Sequence, residues 1–259
     1  MQRFSFGFKY LAMIFIGLSI TACNDIPRDN LLDPKNPGSY RQAVIMVEAF
    51  VNTENDQRYN ENMISALNTL KRRYPSKVVV AHYHRNTTGF TDSLIIPDTE
   101  NLYEQYLDYY NGEKGAPDVF INGAYARVQG ATSADNALER LEDVLTPLRV
   151  QNAYFTIEPE ITFRNGTVNL AVVIARLGGI YAEELLVHVT IVETIDDLAL
   201  SAVARHHAVS NLIPQMTPGE QLKIELGEYH PSGTNPHKAI FKIVTNASKQ
   251  VQQAVEVNL

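Results

Sequence analysis

Near Val150 the spacing of apolar residues changes period, so two different kinds of structure must meet there. Upstream, apolar runs alternate with helical spacings. Residues 43–51 (AVIMVEAFV) form a near-continuous apolar run, as in a strand covered on both faces. Met63, Ile64, Leu67 and Leu70 recur at helical spacing until Pro75 stops them. Residues 77–84 (KVVVAHYH) are rich in β-branched side chains and read as a second strand. Pro97-Asp98 opens another helix, with Leu102, Tyr103, Tyr106, Leu107 and Tyr110 on its packed face, Tyr109 exposed, and Gly112 or Gly115 at its end. Residues 118–123 and 125–130 pair as a hairpin around an Asn-Gly turn, and Ser133 caps a last helix in which Ala137, Leu138, Leu141, Val144, Leu145 and Leu148 return every three or four positions. The predicted order over 41–150 is β-α-β-α-β-β-α.

Downstream the period falls to two. Seven segments alternate apolar and polar residues: 153–164, 167–177, 184–194, 201–210, 220–230, 239–247 and 251–259. Turn signals such as Asn165-Gly166 and Pro218-Gly219 separate them. Residues 151–259 are therefore expected to form an all-β antiparallel sandwich of immunoglobulin-like shape. With 45% apolar composition the chain can bury a sizeable core, and the change of texture favours two units over one.

The N-terminus is read as an address. Arg3 and Lys9 precede an apolar run of about ten residues, Leu11 to Ile20, too short to span a bilayer and fitted to a signal peptide over 1–22. Ile20-Thr21-Ala22-Cys23 matches the bacterial lipobox, in which the thiol is acylated and becomes the new N-terminus. Cys23, the single cysteine, is the expected lipidation site. Several acyl chains make a stable anchor. Asn24 follows the cysteine, and under the sorting rule of enteric bacteria it favours the outer over the inner membrane. Residues 23–40, rich in Pro, Asn and Asp, then form the lipidated cysteine and a flexible tether. Removing the leader takes away Arg3 and Lys9 and no acid, so the formal charge moves from −7 to −9. An acidic body without a Lys/Arg run is not a nucleic-acid binder.

The element order, with Gly115-Ala116-Pro117 just before the third strand, resembles the thioredoxin fold, and the resemblance covers residues 41–150. It implies a cis peptide at Ala116-Pro117 and a substrate-contacting face beside it. In redox-active relatives two cysteines sit where the first helix begins, and here those places fall near Asn55 and Arg58. With its only thiol committed to lipid, the chain has no dithiol for exchange. Asn55, Asp56, Gln57 and Arg58, facing Ala116 and Pro117, form the candidate binding face for an extended peptide; a solvated loop without function is the alternative.

Other chemistry is poorly supported. His82 and His84 share one strand face, and a metal would need a third ligand such as Glu48, but no motif completes the set. His206 and His207 point to opposite faces, and His230 and His237 flank a turn. Glu158 and Glu160 flank Pro159 and read as solvated rather than as a hydrolytic pair. Motifs of serine hydrolases, zinc proteases and nucleotide binders are missing, so no metal, cofactor or catalytic residue is expected. Asp92-Ser93-Leu94 is similar to a short O-glycosylation motif of some Bacteroidetes. Lipobox, tether, thioredoxin-like unit and strand unit together resemble a group of outer-membrane-associated Bacteroidetes lipoproteins, some of which lack the paired cysteines. The resemblance implies a non-enzymatic envelope lipoprotein that binds an envelope protein or peptide. An accessory docking role in periplasmic thiol-disulfide exchange, or a structural surface module, are the alternatives.

Overall fold

Every residue of one strand, Ile45–Val51, is buried, as its near-continuous apolar run predicts, and the burial includes the one charged residue, Glu48. The structure is a computed structural model and describes residues 30–33, 35–36, 38–55, 57–178, 183–195 and 200–259. The lipobox residues Ile20, Thr21 and Ala22, the cysteine Cys23, and Asp56 lie outside the described residues. In chain order the elements are β1 (Arg41–Gln42), β2 (Ile45–Val51), α1 (Gln57–Arg73), β3 (Val78–His84), α2 (Thr99–Tyr110), β4 (Asp118–Ile121), β5 (Ala126–Gln129) and α3 (Ala134–Leu148). Eight strands follow: β6 (Asn152–Ala153), β7 (Phe155–Arg164), β8 (Thr167–Arg176), β9 (Leu185–Ile195), β10 (Leu200–Val209), β11 (Gln221–Tyr229), β12 (His237–Thr245) and β13 (Val251–Asn258).

The molecule is mostly β, built on one large mixed sheet with few helices. That sheet has the order β13-β12-β9-β10-β3-β2-β4-β5 and draws strands from both halves of the sequence. β2 and β3 run parallel, as do β3 and β10, the latter through Val203 opposite His82. β10 therefore covers the edge of β3 and extends the N-terminal sheet into the C-terminal half. This continuity is absent from the sequence reading, because a strand's period reports its buried faces and not its neighbours.

Two cores flank β2, which is why it has no polar face. Ile45, Val47, Ala49 and Val51 pack with Met63, Leu67 and Leu70 of α1 and Leu138, Leu141 and Leu145 of α3. Met46 and Phe50 pack on the other side with Tyr103 and Tyr106 of α2, and with Ile240 and Val251 of the C-terminal half. A third core lies between the sheet β11-β8-β7 and the strands β9 and β12, with Leu170, Val172, Val187, Val189 and Phe241 inside it. The seven expected C-terminal strands all form and pair antiparallel with one another, and β10 in addition pairs parallel with β3.

β13 returns to the start of the fold. Val251 N–H donates to Asn122 O at 3.1 Å and Ala124 N–H to Lys249 O at 3.0 Å. The Gln253 side chain links Val44 N–H, at 2.9 Å, to Gln42 O, at 3.3 Å. Gly123 makes this approach possible: its φ is +65°, and a Cβ there would sit 2.1 Å from Lys249 O. Two local expectations are corrected. α2 ends at Asn111, in the left-handed region at φ 46°, and not at either glycine. The stretch read as a tether is tied down at its C-terminal end, where Ser39 is buried, its hydroxyl donates to Leu31 O at 2.8 Å, and its carbonyl accepts from Gly178 N–H at 3.1 Å.

Candidate functional site

β2 and β3 end together, and Arg85 N–H donates to Val51 O at 2.9 Å. The loop that leaves β3 is organised by buried polar side chains. Asn52 Nδ2 donates to Arg85 O at 2.8 Å and Phe90 O at 3.3 Å, while Asn55 Nδ2 donates to Thr87 Oγ1 at 2.7 Å. Asp92 is the hub. Its carboxylate accepts from Thr53 N–H at 2.8 Å, the Thr53 hydroxyl at 3.1 Å and Leu94 N–H at 2.9 Å, and lies 2.9 Å from His84 Nδ1. Burial pushes the Asp92 carboxyl up, but the bonds from His84, Leu94 and Thr53 outweigh it and hold the group at about 2. In the Asp92-Ser93-Leu94 stretch, Ser93 is exposed and Asp92 is buried.

Between this loop and the approach to β4 lies a cleft of about 570 Å³. Asn55, Thr87, Thr88 and Phe90 contribute to one side, and Glu100, Lys114, Gly115 and Ala116 to the other. Arg85 joins them: Nε and Nη2 grip Glu100 at 2.8 and 3.0 Å, Nη1 donates to Gly115 O at 3.0 Å, and Cζ lies 4.0 Å from the centre of the Tyr103 ring. Tyr103 fixes the same segment, accepting from Gly115 N–H at 2.8 Å and donating to Asp118 Oδ2 at 2.8 Å. Burial, with the Asp118 charge beside it, pushes the Tyr103 hydroxyl up to about 12, so it remains a donor. Both backbone groups of Gly115 are thus used internally. The N–H and C=O of the next residue, Ala116, have no partner among the described residues. The cleft pairs a free backbone edge with an exposed aromatic, Phe90, 44% accessible.

The structure brings two of the sequence-predicted residues, Asn55 and Ala116, to one cleft. Pro117 is buried behind Ala116, and the peptide between them is cis. Arg58 is exposed in the first turn of α1 and does not line the cleft. Gln57 begins α1, and its side chain, like Asp56, lies outside the described residues. Sequence reasoning missed Arg85, Phe90, Glu100 and Lys114, which come from two loops and the first turn of α2 and carry no motif.

The metal arrangement weighed for His82, His84 and Glu48 does not form. Glu48 is in register with Ala81, so it faces the side of the sheet opposite His82 and His84. Among the described residues no group of three His, Cys, Asp or Glu side chains is placed to hold a metal. Glu48 has a different role. Fully buried, its carboxylate receives the Lys242 ammonium from β12 and the Tyr106 hydroxyl, at 2.8 Å, from α2. Lys242 Nζ also donates to the Tyr106 oxygen at 3.0 Å. Burial holds the Lys242 ammonium below its usual value, and the Glu48 carboxylate opposes that shift. A second chain of polar groups, Tyr83, Thr190 and His207, crosses the same junction at 2.7 and 3.1 Å.

No protein-family model matches the chain, and no curated protein matches it significantly. Solved structures of low identity share its fold. A structural-genomics protein of Agrobacterium tumefaciens is 18% identical and covers 84% of this chain and 95% of its own, with a TM-score of 0.54. HBP35 of Porphyromonas gingivalis is 11% identical over 84% of this chain and 76% of its own, with a TM-score of 0.62. A domain of the outer membrane lipoprotein Omp28 of the same organism, 14% identical over 41% of this chain and 88% of its own, reaches only 0.31, too low to bear on the fold.

Proposed function

We propose that this chain is a non-enzymatic envelope lipoprotein, anchored through Cys23, whose cleft binds an extended peptide segment of another envelope protein. The reading treats the N-terminal half as a thioredoxin-like unit without redox cysteines, joined to an immunoglobulin-like sandwich. The observation that carries it is the unpaired backbone of Ala116 facing Asn55 and Phe90 across one cleft. An extended ligand satisfies such an edge with main-chain hydrogen bonds and places alternate side chains in flanking pockets. Phe90 offers the apolar surface for one of them. The anchor rests on the sequence, with a lipobox ending at the only cysteine. The absence of any other thiol removes dithiol exchange as the chemistry of the cleft.

The test is photo-crosslinking in intact cells, with the probe at Thr88 in the cleft wall and a control probe at Phe163, 65% accessible on β7. A discrete adduct from position 88 alone is the expected result, and its sequence names the ligand. Adducts from 163 alone would move binding to the strand unit and overturn the assignment. Should the adduct at 88 be a thiol-disulfide protein, the accessory docking role is selected instead.

A further inference from the structure

We infer that the exposed surface around β1 and β6 is a lipid-facing foot, which seats the protein on an anionic bilayer and holds the cleft away from it. The inference rests on the anchor proposed above. β1 and β6 form a two-stranded antiparallel ribbon in which Arg41 faces Ala153 and Gln42 faces Asn152. Continuing that register sets Tyr40 beside Tyr154, and the two tyrosines remain 43% and 40% accessible. Val150, 82% accessible, lies just before the ribbon. Tyrosine suits a membrane interface, with an apolar ring and a polar tip.

Charge points the same way. In a chain with 29 acids and 22 Lys and Arg, no Asp or Glu occurs between Pro34 and Val47, or between Val144 and Ile157. Those two stretches supply Lys35, Arg41 and Arg149. Two acids on neighbouring elements are already paired, Glu142 with Arg73 at 2.8 Å, and Glu256 with Lys71 at 2.7 Å and Lys238 at 2.8 Å, while Asp143 and Glu158 lie exposed at the margins of the two stretches. Each cation near an anionic leaflet contributes about 1 kcal/mol.

Chain length selects lipid as the occupant. From Cys23 to Asn30, where the described chain begins, there are seven residue steps, at most about 25 Å when extended. Ser39 is fastened to Gly178 immediately before the ribbon and its hydroxyl to Leu31, so the described chain leaves the fold towards the anchor on this side of the molecule. The cleft is at the other end. β1 precedes the start of β2, whereas the cleft opens beyond its last residue, Val51, seven residues and about 20 Å along the strand.

The chain has no tryptophan, so one introduced indole reports a single position. The lipidated full-length protein is reconstituted into vesicles of phosphatidylethanolamine and phosphatidylglycerol with brominated acyl chains, once as Tyr154→Trp and once as Phe90→Trp. The expected result is loss of most emission for Tyr154→Trp and none for Phe90→Trp, relative to unbrominated vesicles. Unquenched emission from Tyr154→Trp in protein that floats with the vesicles overturns the foot and leaves the anchor standing. Val150→Trp repeats the measurement where the side chain packs on little else. A mature N-terminus without acyl groups, read by mass spectrometry, removes both the anchor and the foot.

Discussion

At the residue scale, the junction between the halves depends on one buried ion pair. Glu48 and Lys242 have given up water and hold each other, with Tyr106 completing the set. Removing one partner strands the other charge, so Lys242→Met is expected to cost roughly 3–5 kcal/mol in urea unfolding, whereas Glu48→Leu with Lys242→Met should recover most of it. A double variant as unstable as the single one would show that shape, not charge, sets the cost. Histidines supply a second residue-scale expectation. Burial holds His82 at about 3, with His84 and Lys71 adding to the effect, and burial with Lys242 and His206 does the same for His207. Because the folded values lie below the unfolded one of 6.5, the stabilisation is complete above that pH. It is lost as pH falls from 6.5 towards 3, by about 1.4 kcal/mol per unit for each group. The urea midpoint should therefore drop between pH 7.5 and 5.5, and His82→Leu should flatten the slope; an unchanged slope would remove His82 as a source.

At the scale of elements, the return of β13 to the end of β4 depends on Gly123. Gly123→Ala combines a positive φ with a clash against the Lys249 carbonyl. A loss of more than about 1 kcal/mol is expected, with faster amide exchange concentrated in β13 and the turn before it. Uniform acceleration over the whole chain would mean that the return is not a separable element. The cleft shows what remains hidden at this scale. Asn55 was legible because the fold resemblance marks the start of α1, and Ala116 because it precedes the proline. Arg85, Glu100 and Lys114 were not, since a charged residue in a loop has the same local pattern whether it is solvated or, like Arg85, is buried and gripped at both ends.

For the whole molecule, the shared sheet makes the N-terminal half depend on the C-terminal one. A fragment covering 38–150 would expose the edge of β3, uncover Met46 and Phe50 where Ile240 and Val251 pack, and leave Glu48 without Lys242. It is expected to elute as aggregate in size exclusion, whereas the chain from residue 38 to its end unfolds in a single urea transition by both tyrosine fluorescence and far-UV circular dichroism. A monomeric, folded fragment would show that the junction is an ordinary domain contact.

Taken alone, the sequence determined which longer segments are helices and strands and which faces they bury, but not the two-residue strands β1 and β6. Both follow from spacing within a few residues, and the run at 43–51 and the face of α2 are read that way. It also determined that dithiol chemistry within the chain is closed, since that needs only a count of cysteines. Which strand lies beside β3, and which cation answers Glu48, were decided by the tertiary structure. Lys242 stands 194 residues from its partner, and nothing in the local period of either strand encodes the other. Those pairings arise only when three cores close together and each buried charge must find its opposite without water.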